Sequence, residues 1–178
     1  MKPVFELPAN PDPIARHPKA PEPGGHIGLH HSLCFGCGDD ANPGLHIKVL
    51  AGEGFTVTAD LEIEAWMQGG PNLLHGGLLM AAFDEVMGTA PLIIGAPVVT
   101  AHLETDFAKP IPVGSTLHFD GEVVCKERRK VFTRATAHIG DPANPVAAAH
   151  AIFIEIDPVA HFGKYSDAFS SGSPSSNL

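Results

Sequence analysis

The sequence predicts an α+β fold in which an antiparallel β-sheet wraps one long central helix. Two stretches, "LHIKVLA" (45–51) and "FTVTADLEI" (55–63), alternate polar and apolar residues with the period of a half-buried strand. One segment, "LLHGGLLMAAFDEVMG" (73–88), is apolar over a helical length, with Leu78 to Phe83 unbroken by polar groups. Four long strand-like runs follow it. Strands, a single helix and then more strands, with no internal repeat, point to an antiparallel sheet rather than to alternating βα units.

The elements follow in order. Residues 1–28 are rich in Pro, Gly and charge and read as an extended or flexible N-terminal arm, with Val4, Phe5, Leu7 and Ile14 as apolar surface to bury. A short loop, "CFGCGDDANPG", leads into the strands at 45–51 and 55–63, which are separated by a turn at Gly52-Glu53-Gly54. "WMQGGPN" is a loop, and the helix is expected over about 75–90, stopping near Gly88 and Pro91. The later strands are "VVTAHLETDFA", "STLHFDGEVVCKE", "KVFTRATAHI" and "PVAAAHAIFIEI", divided by "KPIPVG", a charged turn and "GDPANP". Residues 29–160 thus form one domain, and 161–178 are a Ser-rich, flexible C-terminal tail.

Composition bounds the function. The chain has 178 residues, 44% of them apolar, with mean hydropathy near zero, which suits one globular domain. A net charge of −9 leaves no excess of Lys and Arg for phosphate backbones, so a nucleic-acid partner is not expected. No apolar run reads as a bilayer span and no secretory signal opens the chain, so the expectation is a cytoplasmic protein without a membrane partner. Cys34, Cys37 and Cys125 are an odd set in such a chain and are expected to be reduced.

Two acids, Asp84 and Glu85, sit in the middle of the apolar helix. A buried carboxylate is costly unless it is paired or used. "QGGPNLLHGGLLMAAFDEVMG", the later "VVTAHLETDFAKPIPVG" and the leading "CFGCG…NPGLHIKV" together resemble the hotdog-fold acyl-CoA thioesterases of the phenylacetate-pathway (PaaI-like) type, over roughly residues 33–157. The resemblance implies hydrolysis of an acyl-CoA thioester to a free acid and coenzyme A. It assigns the backbone N–H of Gly76 to the thioester oxygen and Asp84 to the role of nucleophile or general base. Gln68, His75 and Thr100 are implied to position the reactants. No cofactor is implied, since coenzyme A belongs to the substrate.

The residues support the same choice independently. Unpaired N–H groups at a helix N-terminus favour developing negative charge, and glycine lets a substrate approach the backbone. Gly76 and Gly77 stand at that position. Eight residues of helix rise about 12 Å, too far for Gly76 and Asp84 of one chain to meet one thioester. Two antiparallel helices related by a twofold would bring them together across a homodimer, and a dimer of dimers is open as well. A nearly all-round apolar helix also needs cover on the side away from the sheet.

Weaker signals stand beside these. Glu85 lies about 100° further round the helix than Asp84; it reads first as an acid facing solvent or paired with a base, and second as a substrate contact. "KERRKVFTR" (126–134) is the densest basic stretch, and Arg128, Arg129 and Lys130 are candidates for the phosphates of coenzyme A, against the alternative of a solvated turn. "CFGC", with His30, His31 and His46 nearby, reads foremost as a structural turn with no metal, because a single Cys-x-x-Cys is weak evidence for zinc. His118, His138 and His150 read as scattered surface or core-edge positions. Two competing functions use the same scaffold: an acyl-thioester hydratase or dehydratase, and a non-catalytic acyl-CoA binding module.

Overall fold

The computed structural model describes residues 5–28 and 30–163; Val4 and the tail from residue 164 onward lie outside the described residues. Its elements are β1 (Leu50–Ala51), β2 (Thr56–Glu62), α1 (Gly76–Thr89), β3 (Val98–Phe107), β4 (Thr116–Glu127), β5 (Lys130–His138), β6 (Ala147–Glu155) and a short α2 (Pro158–Phe162). The strands form one sheet in the order β1-β2-β4-β5-β6-β3, with every neighbouring pair antiparallel. The α+β expectation of a sheet around one long helix is met.

Alternation places the core. Val57, Ala59 and Leu61 of β2 and Leu117, Phe119 and Val123 of β4 point inward, while Thr58, Asp60 and His118 face out. Helix α1 packs against β2 to β6 through Leu79, Ala82, Phe83, Val86 and Met87, all buried. Phe83 is fully buried with its ring edge-on to Phe119 at 5.2 Å. Phe83→Ala is therefore expected to cost about 3–5 kcal/mol of unfolding free energy, checked by denaturant titration.

The start of the first strand differs from the sequence reading. The first strand is cut to Leu50–Ala51, because residues 45–49 spend their hydrogen bonds elsewhere: Leu45 N–H donates to the Phe35 carbonyl, Ile47 N–H to Gly36, and the Val49 carbonyl accepts from Ile27. Helix α1 ends at Thr89, within the expected range, and Gly88 near its end has a packing role. That glycine lets α1 approach β6, since a Cβ there would lie 3.2 Å from the Phe153 ring. Helical structure continues as a 3-10 segment, Ala90–Ile94, and ends at Gly95 in the left-handed region (φ 71°).

The continuous helical stretch Gly76–Ile94 has 19 residues and a mean hydropathy of 1.5, enough by length and composition to cross a membrane, contrary to the sequence reading. Its packing against five strands accounts for that character as a core helix.

The arm runs along the domain. Asp12 bridges to Lys126, His17 N–H donates to Ile93 O at 2.7 Å, and Arg16 holds the carbonyls of Gly52 and Gly54. Phe5 lies on the outer sheet face against Phe132, with ring centroids 6.0 Å apart.

Candidate active site

The loop before α1 shapes the helix start. His75 is the N-cap: its backbone N–H donates to Met67 O, and its Nδ1 accepts from Gly77 N–H at 2.9 Å. Gly77 is thereby corrected as a substrate donor, since its N–H is already used within the cap. Gly76 N–H has no hydrogen-bond acceptor among the described residues, as the first helical position requires. It opens beside a pocket of about 370 Å³, lined by Leu73, Leu74, Leu79, Phe107, Pro110 and Ile111 among others. Sequence reasoning missed Phe107, which ends β3 and brings its exposed ring to the helix start.

Gln68 is turned inward on its own loop. Its Nε2 donates to Ala65 O and its Oε1 accepts from Asn72 N–H, both at 2.7 Å. With both ends of the amide engaged, it orders the turn that delivers His75 rather than presenting a free group to a substrate.

Asp84 sits in the body of α1, half-buried, and Thr100 Oγ1 donates to its Oδ1 at 2.8 Å. Thr100 is on β3 beside a register shift between Thr100 and His102. Burial raises the Asp84 pKa above the ordinary carboxylate value; the Thr100 bond opposes this, and the Glu85 charge adds to it. Asp84 and Thr100 are thus brought together, while Gly76 stays eight residues away on the same helix.

Glu85 follows the first of its two readings, an acid paired with a base. It is buried and faces the N-terminal segment, pairing with His30 Nδ1 at 3.2 Å and Cys34 Sγ at 3.6 Å, with Thr89 Oγ1 at 3.3 Å. The far side of the helix is therefore covered in part by the chain's own Cys34–Cys37 loop. His46 is not in this group; its Nδ1 bonds to Gly38 O.

Arg128, Arg129 and Lys130 are exposed at the β4–β5 turn. Lys130 pairs in register with Ile154, and Thr100 with Phe153, so the basic turn lies at the Thr100 end of the sheet and away from Gly76, which meets Phe107. Arg129 Nε is engaged by Glu155 O. His118 and His138 are not scattered: they face each other across β4 and β5 with rings stacked at 5.2 Å, paired with Asp60 and Asp120.

A single helix held in one antiparallel sheet, with a carboxylate in its body and a free N–H at its start, defines a hotdog domain. Residues 71–146 match the thioesterase superfamily. Over 93 residues it is 32% identical to the acyl-coenzyme A thioesterase THEM4 of Xenopus laevis, a match covering 52% of this chain and 42% of that protein. The chain therefore spans less than half the length of this relative. Among solved structures it superposes on the Escherichia coli PaaI protein of the phenylacetic acid degradation operon with a TM-score of 0.58 at 20% identity, covering 64% of this chain and 81% of that one. A Streptococcus mutans protein solved with acetyl-CoA superposes with a TM-score of 0.57 at 21% identity, covering 62% and 88%. Both likenesses concern the fold.

Proposed function

We propose that the protein is an acyl-CoA thioesterase, hydrolysing the thioester to a carboxylic acid and coenzyme A. The observation that carries this reading is Asp84: an acid in a buried helix, bonded to Thr100 and with no cation paired to it among the described residues, is placed for chemistry rather than for stability. Support comes from the family, from the thioesterase relative and from the acetyl-CoA bound to the S. mutans protein. Asp84 either attacks the thioester carbon or deprotonates the attacking water, and Gly76 N–H stabilises the oxyanion. His75 shapes that helix end, and the pocket at Phe107 takes an apolar part of the substrate. Arg128 and Lys130 are proposed to meet the phosphates of coenzyme A. No cofactor takes part in the chemistry, and the cytoplasm is the proposed location.

The active unit is proposed to be a homodimer whose sites each combine Asp84 of one chain with Gly76 of the other. The ten-residue strand β3 forms an edge of the sheet and offers unpaired backbone groups for a second copy. The test is complementation. Asp84→Asn and Gly76→Pro proteins, each inactive alone, regain roughly a quarter of wild-type turnover when their chains are unfolded and refolded together, because half the dimers then hold one intact site. No recovery in mixed dimers would overturn the shared site. Release of free thiol from a panel of saturated short, long and aromatic acyl-CoAs tests the activity itself. A hydratase would leave these substrates intact, and a binding module would bind them without turnover.

A further inference from the structure

The Cys34–Cys37 loop and helix α1 face each other across a group the thioesterase chemistry does not use. His30 Nδ1, both cysteine Sγ atoms and a Glu85 carboxylate oxygen all lie within 4.8 Å of one another. We propose that these four side chains bind a zinc-class divalent ion, in a closed structural site that fastens the N-terminal segment to the catalytic helix.

The geometry fits such an ion before one is placed. Tetrahedral zinc at about 2.0–2.3 Å from N, O and S ligands sets neighbouring donors roughly 3.3–3.8 Å apart. The Cys34 Sγ to Glu85 Oε2 and Cys37 Sγ to His30 Nδ1 separations are both 3.6 Å, and His30 Nδ1 to Glu85 Oε1 is 3.2 Å. Two sulfurs and an imidazole select zinc over magnesium or calcium, which prefer oxygen.

The loop is built around the cluster. Its backbone is tied on both sides of Cys34, whose N–H donates to His31 O at 2.9 Å and whose carbonyl accepts from Gly38 N–H at 2.8 Å. Gly36 passes so close to the acid that a Cβ there would lie 2.1 Å from Glu85 Oε2. Metal binding would displace the thiol protons, and a divalent ion would then neutralise most of the charge of two thiolates and one carboxylate. The site also explains why a helix otherwise committed to the core keeps Glu85 next to Asp84: one acid serves catalysis and the other anchors the segment that covers the helix. With all four positions taken by protein, no site is left for substrate, so the role is structural.

The test is metal analysis of the full chain purified with its thiols reduced. About one zinc per chain is expected, retained in Cys125→Ser and lost in Cys34→Ser and Cys37→Ser. Cobalt added to chelator-stripped wild-type protein is expected to give thiolate-to-cobalt charge-transfer absorption. Should the cysteine variants fail to fold, the wild type decides: chelation lowers its Tm by several degrees, and zinc but not magnesium restores it. Stripped protein that shows neither the cobalt band nor a zinc-dependent Tm would overturn the proposal. So would a Cys34–Cys37 disulfide in the freshly purified chain, or zinc retained when both cysteines are replaced.

Discussion

Asp84→Asn is expected to cut thiol release from the best acyl-CoA substrate by at least about a hundredfold, the lower end of what a positioned acid–base group supplies; loss of a nucleophile costs more. The fold should not suffer. Asn has the same shape and its carbonyl oxygen still accepts from Thr100 Oγ1, while the charge that burial penalises is gone. The Tm is expected to be unchanged or slightly higher. Turnover that stays at the wild-type level in a folded Asp84→Asn protein would remove Asp84 from the chemistry. Isotope tracing from labelled water over repeated turnovers then separates its two roles, because an anhydride route leaves label in the Asp84 carboxylate and a general-base route does not.

Gly76→Pro should be nearly as damaging for a different reason. Proline at the first helical position is structurally welcome, because the N–H it removes has no intrahelical partner. His75 has the extended backbone (φ −69°, ψ 128°) that a residue before proline adopts. The substitution therefore deletes the proposed oxyanion donor while leaving the helix start in place, and kcat is expected to fall about 10²–10³-fold with KM changed much less. Gly76→Ala is the control. It keeps the N–H, and its Cβ would meet only the edge of the Phe107 ring, at 3.3 Å. If the alanine and proline proteins lost activity equally, crowding at Phe107 rather than the missing N–H would be responsible.

Much of this could be read without coordinates, because the informative signals are local. Period-two alternation in 55–63 and in the four later runs names strands whatever they pair with. Leu78 to Phe83 names a buried helix, and the His-Gly-Gly start with Asp84 eight residues on carries the family resemblance within one element. The readings that failed depend on partners distant in sequence. Residues 45–49 alternate like a strand, but hydrogen bonds to Ile27, Phe35 and Gly36 take the place of a sheet neighbour. Gly88 lies near the helix end as expected, but the approach of Phe153, which its small size admits, has no local signal.

Glu85 marks the limit most clearly. A sequence shows a carboxylate in an apolar helix and separately a Cys-x-x-Cys preceded by His30; nothing local says that Cys34, 51 positions away, comes to 3.6 Å from that carboxylate. The same holds for His118 and His138, which alternation puts on one face but only the β4–β5 register makes neighbours. By itself, then, the sequence determined the fold class and the central helix, since periodicity and capping are properties of contiguous residues, and its family resemblance singled out Gly76 and Asp84 as candidates. Only the tertiary structure decided that Glu85 belongs to the N-terminal loop, that Gly77 and Gln68 are already hydrogen-bonded, and that the helix start opens beside Phe107. Each of those outcomes is fixed by which distant groups fill the space and hydrogen-bonding capacity that local structure leaves open.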